Sequence, residues 1–287
     1  MGAVIRVPRF CGAQHRGERH AALDQPCCDA LLLPRQGVGL SGFVLCDGAG
    51  GSTAVARSAA ASARAGWQAL QHLRREPRLG ADPRLLEQFR NRLLRRRGHV
   101  PLLDHTLLAC SWDRRRLLVL QVGDSTLLVR QGGQWHCPLP PAKGDYANQT
   151  TFLRRHTPIG SIQVWQAPAT SVDAVLAFSD GLESAFLGPA LPGHEQLEAN
   201  APLADLVIQE HRRRHGGRGY PAWLARSLAD PGLAQLTDDD RTLVIARRRA
   251  PQPAPATRGP PGCWRPGPGV SRQPGRHTRR REVAAQR

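Results

Sequence analysis

A chain of 287 residues, 40% apolar, can enclose one sizeable hydrophobic core or two small ones, and none of its apolar runs approaches the roughly 18 residues that a membrane-crossing helix needs. The formal charge of +17 suggests an anionic partner, yet Lys143 is the single lysine, and the segment from Arg247 onward holds eleven arginines against one acid, Glu282. The body of the protein is therefore only moderately basic, and nucleic acid is not an expected partner.

The first sixteen residues read as an irregular N-terminal segment. Within them, Met1 to Phe10 carries Arg6 and Arg9 without the apolar stretch of a signal peptide, so a cytoplasmic location is expected. The seven cysteines (11, 27, 28, 46, 110, 137 and 263) contain no C-x-x-C pair and no zinc-type spacing, which fits reduced, structural thiols. Ala30 to Leu33 and Gly42 to Cys46 read as two strands of a hairpin. An alanine-rich helix follows from Ser52, its N-cap, to about Arg75. A second helix is expected from Pro83 to about Arg97, with Asp82 as cap and Pro83 in the first turn.

The period then changes to two. His105–Trp112, Leu117–Val122 and Ser125–Arg130, joined by tight turns, predict three consecutive strands of an antiparallel meander. Residues 131–166 read as loop-rich. Val172 to Phe178 is a further strand, Leu203–Arg214 and Ala222–Leu228 read as helices, and Arg241 to Ala246 is a last strand. The run His211-Arg212-Arg213-Arg214-His215 is expected to be a solvated helix end. From 248 to 287 the chain is rich in Pro, Gly and Arg and poor in aliphatics, which predicts a disordered tail with Trp264 as its one aromatic. The domain is thus expected over 17–247. Clustered strands and helices argue for an α+β fold with helices packed on antiparallel sheets.

One stretch organises the rest. Val44-Leu45-Cys46-Asp47-Gly48-Ala49-Gly50-Gly51-Ser52 is an apolar strand that runs into an aspartate, then glycines, then a helix start. Aspartates recur in this setting: Asp29 precedes the first strand of the hairpin, Asp124 lies in the turn Gly123-Asp124-Ser125, Asp180 follows a strand in Ser179-Asp180-Gly181, and Asp238-Asp239-Asp240 opens the last strand. If those strand ends share a rim, the carboxylates crowd, and like charges that close require cations. Oxygen donors without His or Cys favour magnesium or manganese over zinc.

The series Asp29, Asp47-Gly48-Ala49-Gly50, Gly123-Asp124-Ser125, Ser179-Asp180-Gly181 and Asp239-Asp240-Arg241-Thr242 resembles the metal-dependent protein phosphatases of type 2C. Pro26-Cys27-Cys28-Asp29-Ala30 and Gly144-Asp145-Tyr146-Ala147-Asn148-Gln149-Thr150 are similar to a bacterial branch of that family. The resemblance implies a four-layer αββα sandwich, two antiparallel sheets between helix pairs, with a two-metal centre at one edge. It implies that Asp47 bridges two Mn2+ or Mg2+ ions, that Gly48 contributes its carbonyl, that Asp180 and Asp239 complete the first ion, and that Asp29 acts from behind or through water. Asp124 matches a position associated with a third, weaker ion. The implied activity is hydrolysis of phosphoserine and phosphothreonine in proteins by a metal-activated water, with no protein nucleophile. The implied setting is bacterial signalling opposite a cognate Ser/Thr kinase, by a monomer without a membrane partner.

Departures from the pattern are equally legible. Ala49 stands where many relatives carry a histidine able to protonate the leaving group, and Cys28 stands where a glutamate is common. The phosphate-gripping arginine has no clean match, with Arg19 and Arg16 as candidates. These differences support the alternative of a weakly active or inactive module that binds a phosphoprotein or kinase. Cys110 to Arg116 matches the cysteine-x5-arginine spacing of cysteine-dependent phosphatases, but it lies in a strand and lacks the glycine loop that such chemistry requires.

Overall fold

The computed structural model describes residues 7–35, 37, 39–80, 82–142, 150–188, 198–217 and 219–248. By contacts the chain divides into a unit from Met1 to Ala250 and a remainder from Pro251 to Arg287, and the described residues all belong to the first. The tail and residues 144–149 of the Gly144–Thr150 motif therefore lie outside the described residues.

Among the described residues, ten strands form two five-stranded antiparallel sheets. The first holds β2 (Ala30–Leu32), β3 (Leu40–Cys46), β4 (Leu107–Asp113), β5 (Arg116–Val122) and β8 (Gln163–Pro168) in the order β2-β3-β4-β5-β8. The second is ordered β1-β10-β9-β6-β7, from β1 (Cys11–His15), β10 (Arg241–Arg247), β9 (Ala174–Phe178), β6 (Thr126–Gln131) and β7 (Gln134–His136). Alternation along each strand assigns the faces. Phe43, Leu45, Leu108, Cys110, Trp112, Val119, Leu127, Val175 and Val244 point between the sheets and form one core. Their neighbours Val44, Cys46, Leu107, Ala109 and Leu120 point outward, onto α2 (Thr53–Leu73) and α3 (Pro83–Arg96). On the opposite outer face, Leu128, Leu176, Phe178 and Ile245 pack with α5 (Ala201–Arg214) and α6 (Tyr220–Leu228). The result is the αββα sandwich. Short helices α1 (Glu18–Ala22), α4 (Glu183–Phe186) and α7 (Pro231–Ala234) and two 3-10 turns, Ile159–Ser161 and Asp180–Leu182, complete the described elements. Among the described residues no helix is long and apolar enough to cross a membrane.

The helix caps are local and legible. Ser52 Oγ accepts the Val55 amide at 3.3 Å, and an Asp82 carboxylate oxygen accepts that of Arg84 at 2.9 Å.

Four expectations change. Residues 11–15 of the N-terminal segment form β1, which pairs with β10 from Cys11↔Ile245 to His15↔Arg241, so the fold begins before residue 17. The short polar sequence Gly-Ala-Gln-His carries no apolar alternation, and its strand form is imposed by the edge of β10. The predicted meander is interrupted: β4 and β5 pair, but β6 enters the other sheet beside β9 and β7, while β8 takes the free edge of β5. Gly123, at φ +100, makes this crossing, and a Cβ there would meet the Thr106 side chain at 2.7 Å. The loop-rich stretch 131–166 contains β7 and the start of β8. Finally, His211 is buried, with Nδ1 2.6 Å from the Tyr220 hydroxyl and its ring stacked on His215 at 4.6 Å, so this helix end is partly core. Burial lowers the His211 pKa to about 4.

Candidate metal centre

Strand register brings the aspartates to one rim. Ala30 pairs with Cys46, so Asp29 and Asp47 sit side by side just beyond the β2–β3 pair. In the other sheet Phe178 lies between Thr126 and Leu243, which places Asp180, Asp124 and Asp239 at neighbouring ends of β9, β6 and β10. Two polar bridges join the sheets here. Thr106 Oγ1 accepts the Asp47 amide at 3.0 Å and lies 2.9 Å from Ser125 Oγ, while the Thr106 amide donates to the Asp47 carbonyl at 2.8 Å. Ser179 Oγ and Thr242 Oγ1 donate to Asp29 Oδ2 at 2.8 and 2.6 Å.

Those two donors serve only one oxygen. Asp29 Oδ1 is buried and has no hydrogen-bond partner among the described residues, an arrangement that costs free energy unless something positive meets it. Desolvation raises the Asp29 carboxyl to about 7, against the hydrogen bonds from Thr242 and Ser179, and the charges of Asp240 and Asp180 raise it further. Asp47 is pushed well up, first by desolvation and then by Asp29 and Asp180. Asp180 opens more to solvent, but the surrounding protein still desolvates its carboxyl, and Asp239 and Asp124 add repulsion, raising it as well. Carboxylates that raise one another in this way are relieved by taking up a proton or by meeting a cation. Asp124 is buried, with Oδ2 accepting Thr150 Oγ1 at 2.6 Å.

The backbone leaves room at the same place. A Cβ on Gly48 would lie 2.6 Å from Val55 Cγ1 and 2.8 Å from the Cys28 carbonyl, so only glycine lets the loop after β3 approach Cys28 this closely. Gly48 forms an isolated bridge with His105, and the Ala49 amide donates to the Asp104 carbonyl at 3.0 Å. Carboxylate oxygens from separate loops, one of them bare, beside a closely packed glycine turn form a donor set that suits a hard divalent cation.

Asp239 stands at the edge of this group. Its Oδ2 lies 2.9 Å from Arg19, and its Oδ1 accepts the Asp240 amide at 2.8 Å. Arg19 is thus at the rim. Arg16 instead donates to the Gln25 carbonyl at 3.1 Å. The decoy is closed, since Cys110 is fully buried between the sheets, where desolvation raises its thiol pKa far above the ordinary range.

Sequence reasoning missed Asp240 and what surrounds it. Asp240 is buried, accepts the Gly17 amide at 2.8 Å and the Cys28 amide at 2.6 Å, and lies 3.0 Å from His20 Nδ1. The amide bonds and His20 outweigh its desolvation and hold its pKa down. Next to it, fully buried Arg241 donates to both oxygens of Glu18 at 2.5 and 2.7 Å. His20, Cys28 and Asp240 bring their ligand atoms within 4.8 Å of one another. The only sequence signal was the triple aspartate, in which nothing local distinguishes the second from the third.

The Protein phosphatase 2C family matches this chain over residues 16–229, and the chain belongs to that family. Serine/threonine-protein phosphatase 3 of Escherichia coli (strain K12) is 26% identical over 129 residues, which are 45% of this chain and 49% of that protein; the match thus spans about half of the curated relative. Among solved structures, a sex-determining protein of C. elegans superposes with a TM-score of 0.59 at 17% identity, covering 84% of this chain and 65% of that one. The catalytic domain of the serine/threonine protein phosphatase PstP, solved with two manganese ions, superposes with a TM-score of 0.51 at 21% identity, covering 84% of this chain and 98% of that one. At these identities the structures speak to the fold.

Proposed function

We propose that this chain is a divalent-cation-dependent phosphatase that hydrolyses phosphoserine and phosphothreonine in proteins, with Asp47, Asp180 and Asp239 as its catalytic metal-binding carboxylates. One observation carries the reading: Asp29, Asp47 and Asp180 crowd at one rim, and among the described residues no basic side chain bonds to any of them. Asp47 would help hold the ions, Gly48 would add its carbonyl, and Asp29 would offer the oxygen that Ser179 and Thr242 leave bare. Asp124, tied to Thr150, would serve a third, weaker ion. The oxygen donors favour Mn2+ or Mg2+, and the manganese of the PstP structure supports the choice.

Bound there, such ions supply a water of lowered pKa and a positive field for the phosphoryl oxygens. The protein's share is positioning. Thr106 fixes Asp47 from both sides of the peptide, and the pair Ser179–Thr242 orients Asp29, so the carboxylates are held before any ligand arrives. Ala49 offers no proton, so the leaving alkoxide takes one from water or from another residue. Arg19, beside Asp239, is the candidate to hold the substrate phosphate. The partners are then phosphoproteins and an opposing Ser/Thr kinase, and the chain acts as a cytoplasmic monomer.

The Arg19–Asp239 ion pair favours a second reading, in which metal binding is weak and the chain chiefly recognises a phosphoprotein. Titration with Mn2+ by calorimetry, run alongside p-nitrophenyl phosphate hydrolysis, separates the two. We expect binding and hydrolysis together, both lost in Asp47→Asn and both insensitive to Cys110→Ser. Hydrolysis that persists in excess EDTA would refute the enzyme reading.

A further inference from the structure

A groove of about 730 Å3 is lined by residues from Leu102 to Asp104 and from Thr150 to Pro158. It adjoins the carboxylate rim through shared residues. Thr150, on its wall, donates to Asp124, and Asp104, on its floor, accepts the Ala49 amide through its carbonyl. The Leu153 amide donates to the His105 carbonyl at 2.8 Å, so the wall is hydrogen-bonded to the strand entry that also holds Asp47 and Gly48.

The wall is built in advance of any ligand. Buried Thr157 folds it back on itself: Thr157 Oγ1 accepts the Arg154 amide at 2.6 Å and donates to the Phe152 carbonyl at 3.0 Å, and the Thr157 carbonyl accepts Arg90 from α3 at 2.8 Å. Arg154 makes two bonds to Asp104, from Nε to Oδ1 at 2.8 Å and from an amino nitrogen to Oδ2 at 2.6 Å, and its guanidinium lies 5.8 Å from the Phe152 ring centre. Asp104, the one acid among the described lining residues, is thereby neutralised. Arg155 remains exposed and has no charged or hydrogen-bonded partner among the described residues. The groove thus presents one guanidinium, that of Arg155, without a partner among the described residues, on a wall that does not have to be ordered on binding.

We infer that this groove is the substrate-recognition subsite, and that it selects phosphoprotein segments carrying an acidic side chain beside the phosphoresidue, with Arg155 as the residue that reads it. The inference rests on the phosphatase reading above for its substrate class. An exposed ion pair is worth little in affinity, but reversing one of its charges turns attraction into repulsion, so a change of about fivefold in kcat/KM is expected.

The test uses the full chain with Mn2+ and two phosphothreonine peptides that differ only in acidic or basic flanking residues. We expect the parent to prefer the acidic peptide and Arg155→Glu to lose about fivefold in kcat/KM on it, with p-nitrophenyl phosphate hydrolysis unchanged. Arg155→Gln should fall between the two, and the parent's preference should shrink in high salt. Equal rates on both peptides, or a loss in Arg155→Glu that is the same for peptides and p-nitrophenyl phosphate, overturn the assignment. Fluorescence anisotropy of the labelled acidic peptide separates this from the enzyme reading. Arg155-dependent binding without any hydrolysis keeps the groove and removes the phosphatase, whereas hydrolysis without charge preference does the reverse.

Discussion

Two sets of charged residues lie side by side at the same rim. Around Asp240, the carboxylate meets two amides and His20, and Arg241 meets Glu18. Around Asp47, the carboxyls of Asp29 and Asp180 meet each other's field, and one oxygen of Asp29 has no partner among the described residues. Asp240 is held below its ordinary pKa, and the others are driven above theirs. The difference separates the acids that the fold itself compensates from those proposed above to serve a ligand. A satisfied carboxylate stabilises its own loops, while an unsatisfied one is retained only where something outside the chain compensates it.

The sharpest way to break this contrast is to remove one acid from each set. Asp180→Asn should lower kcat/KM by at least about 100-fold, yet leave the urea midpoint in EDTA equal to or above that of the parent, because like-charge repulsion is relieved. A lowered midpoint would place Asp180 with the structural set. Asp240→Asn should do the opposite to stability, costing about 3 kcal/mol by leaving His20 and an amide donor unmatched, read by urea denaturation at fixed metal. A variant as stable as the parent would dissolve the distinction.

Stability against pH, measured in EDTA, sharpens it further. Asp29 and Asp180 keep protons in the folded chain at pH values where the unfolded chain has already released them, since their pKa values are raised above the ordinary carboxylate value of about 4. The folded state then binds more protons, and the midpoint should fall as pH climbs from 5 to 7.5. Asp240, with its lowered pKa, contributes above the ordinary carboxylate range and loses that contribution only as pH falls through the lowered value. Saturating Mn2+ or Asp29→Asn should flatten the decline, and a midpoint that rises across that window in EDTA would contradict the charge crowding.

The smallest effect belongs to the border between the sets. Arg19 and Asp239 are part-exposed, and Arg19→Ala should tighten Mn2+ binding by about threefold in calorimetry by freeing Asp239. The phosphate-holding role proposed for Arg19 predicts a raised KM in the same variant, and an unchanged KM would refute it.

Much of this was legible in the residues. Period-two apolar runs gave β3, β4, β5, β9 and β10, and Ser52 and Asp82 marked two helix starts, because those signals are carried by residues within a few positions of each other. The setting of Asp29, Asp47, Asp124, Asp180 and Asp239 at strand ends was legible for the same reason. Other features depended on distant partners. β1 is a strand because β10 offers it an edge more than two hundred residues away, and β6 leaves its expected hairpin because β9 competes for it. Asp239 and Asp240 are indistinguishable in sequence. Tertiary structure separated them by giving Asp240 the amides of Gly17 and Cys28 and leaving Asp239 at the rim with Arg19. Sequence alone determined which residue types stand at the ends of the strands. Only the packing of the two sheets decided which of those charges are compensated, since burial and its compensation are properties of neighbours in space.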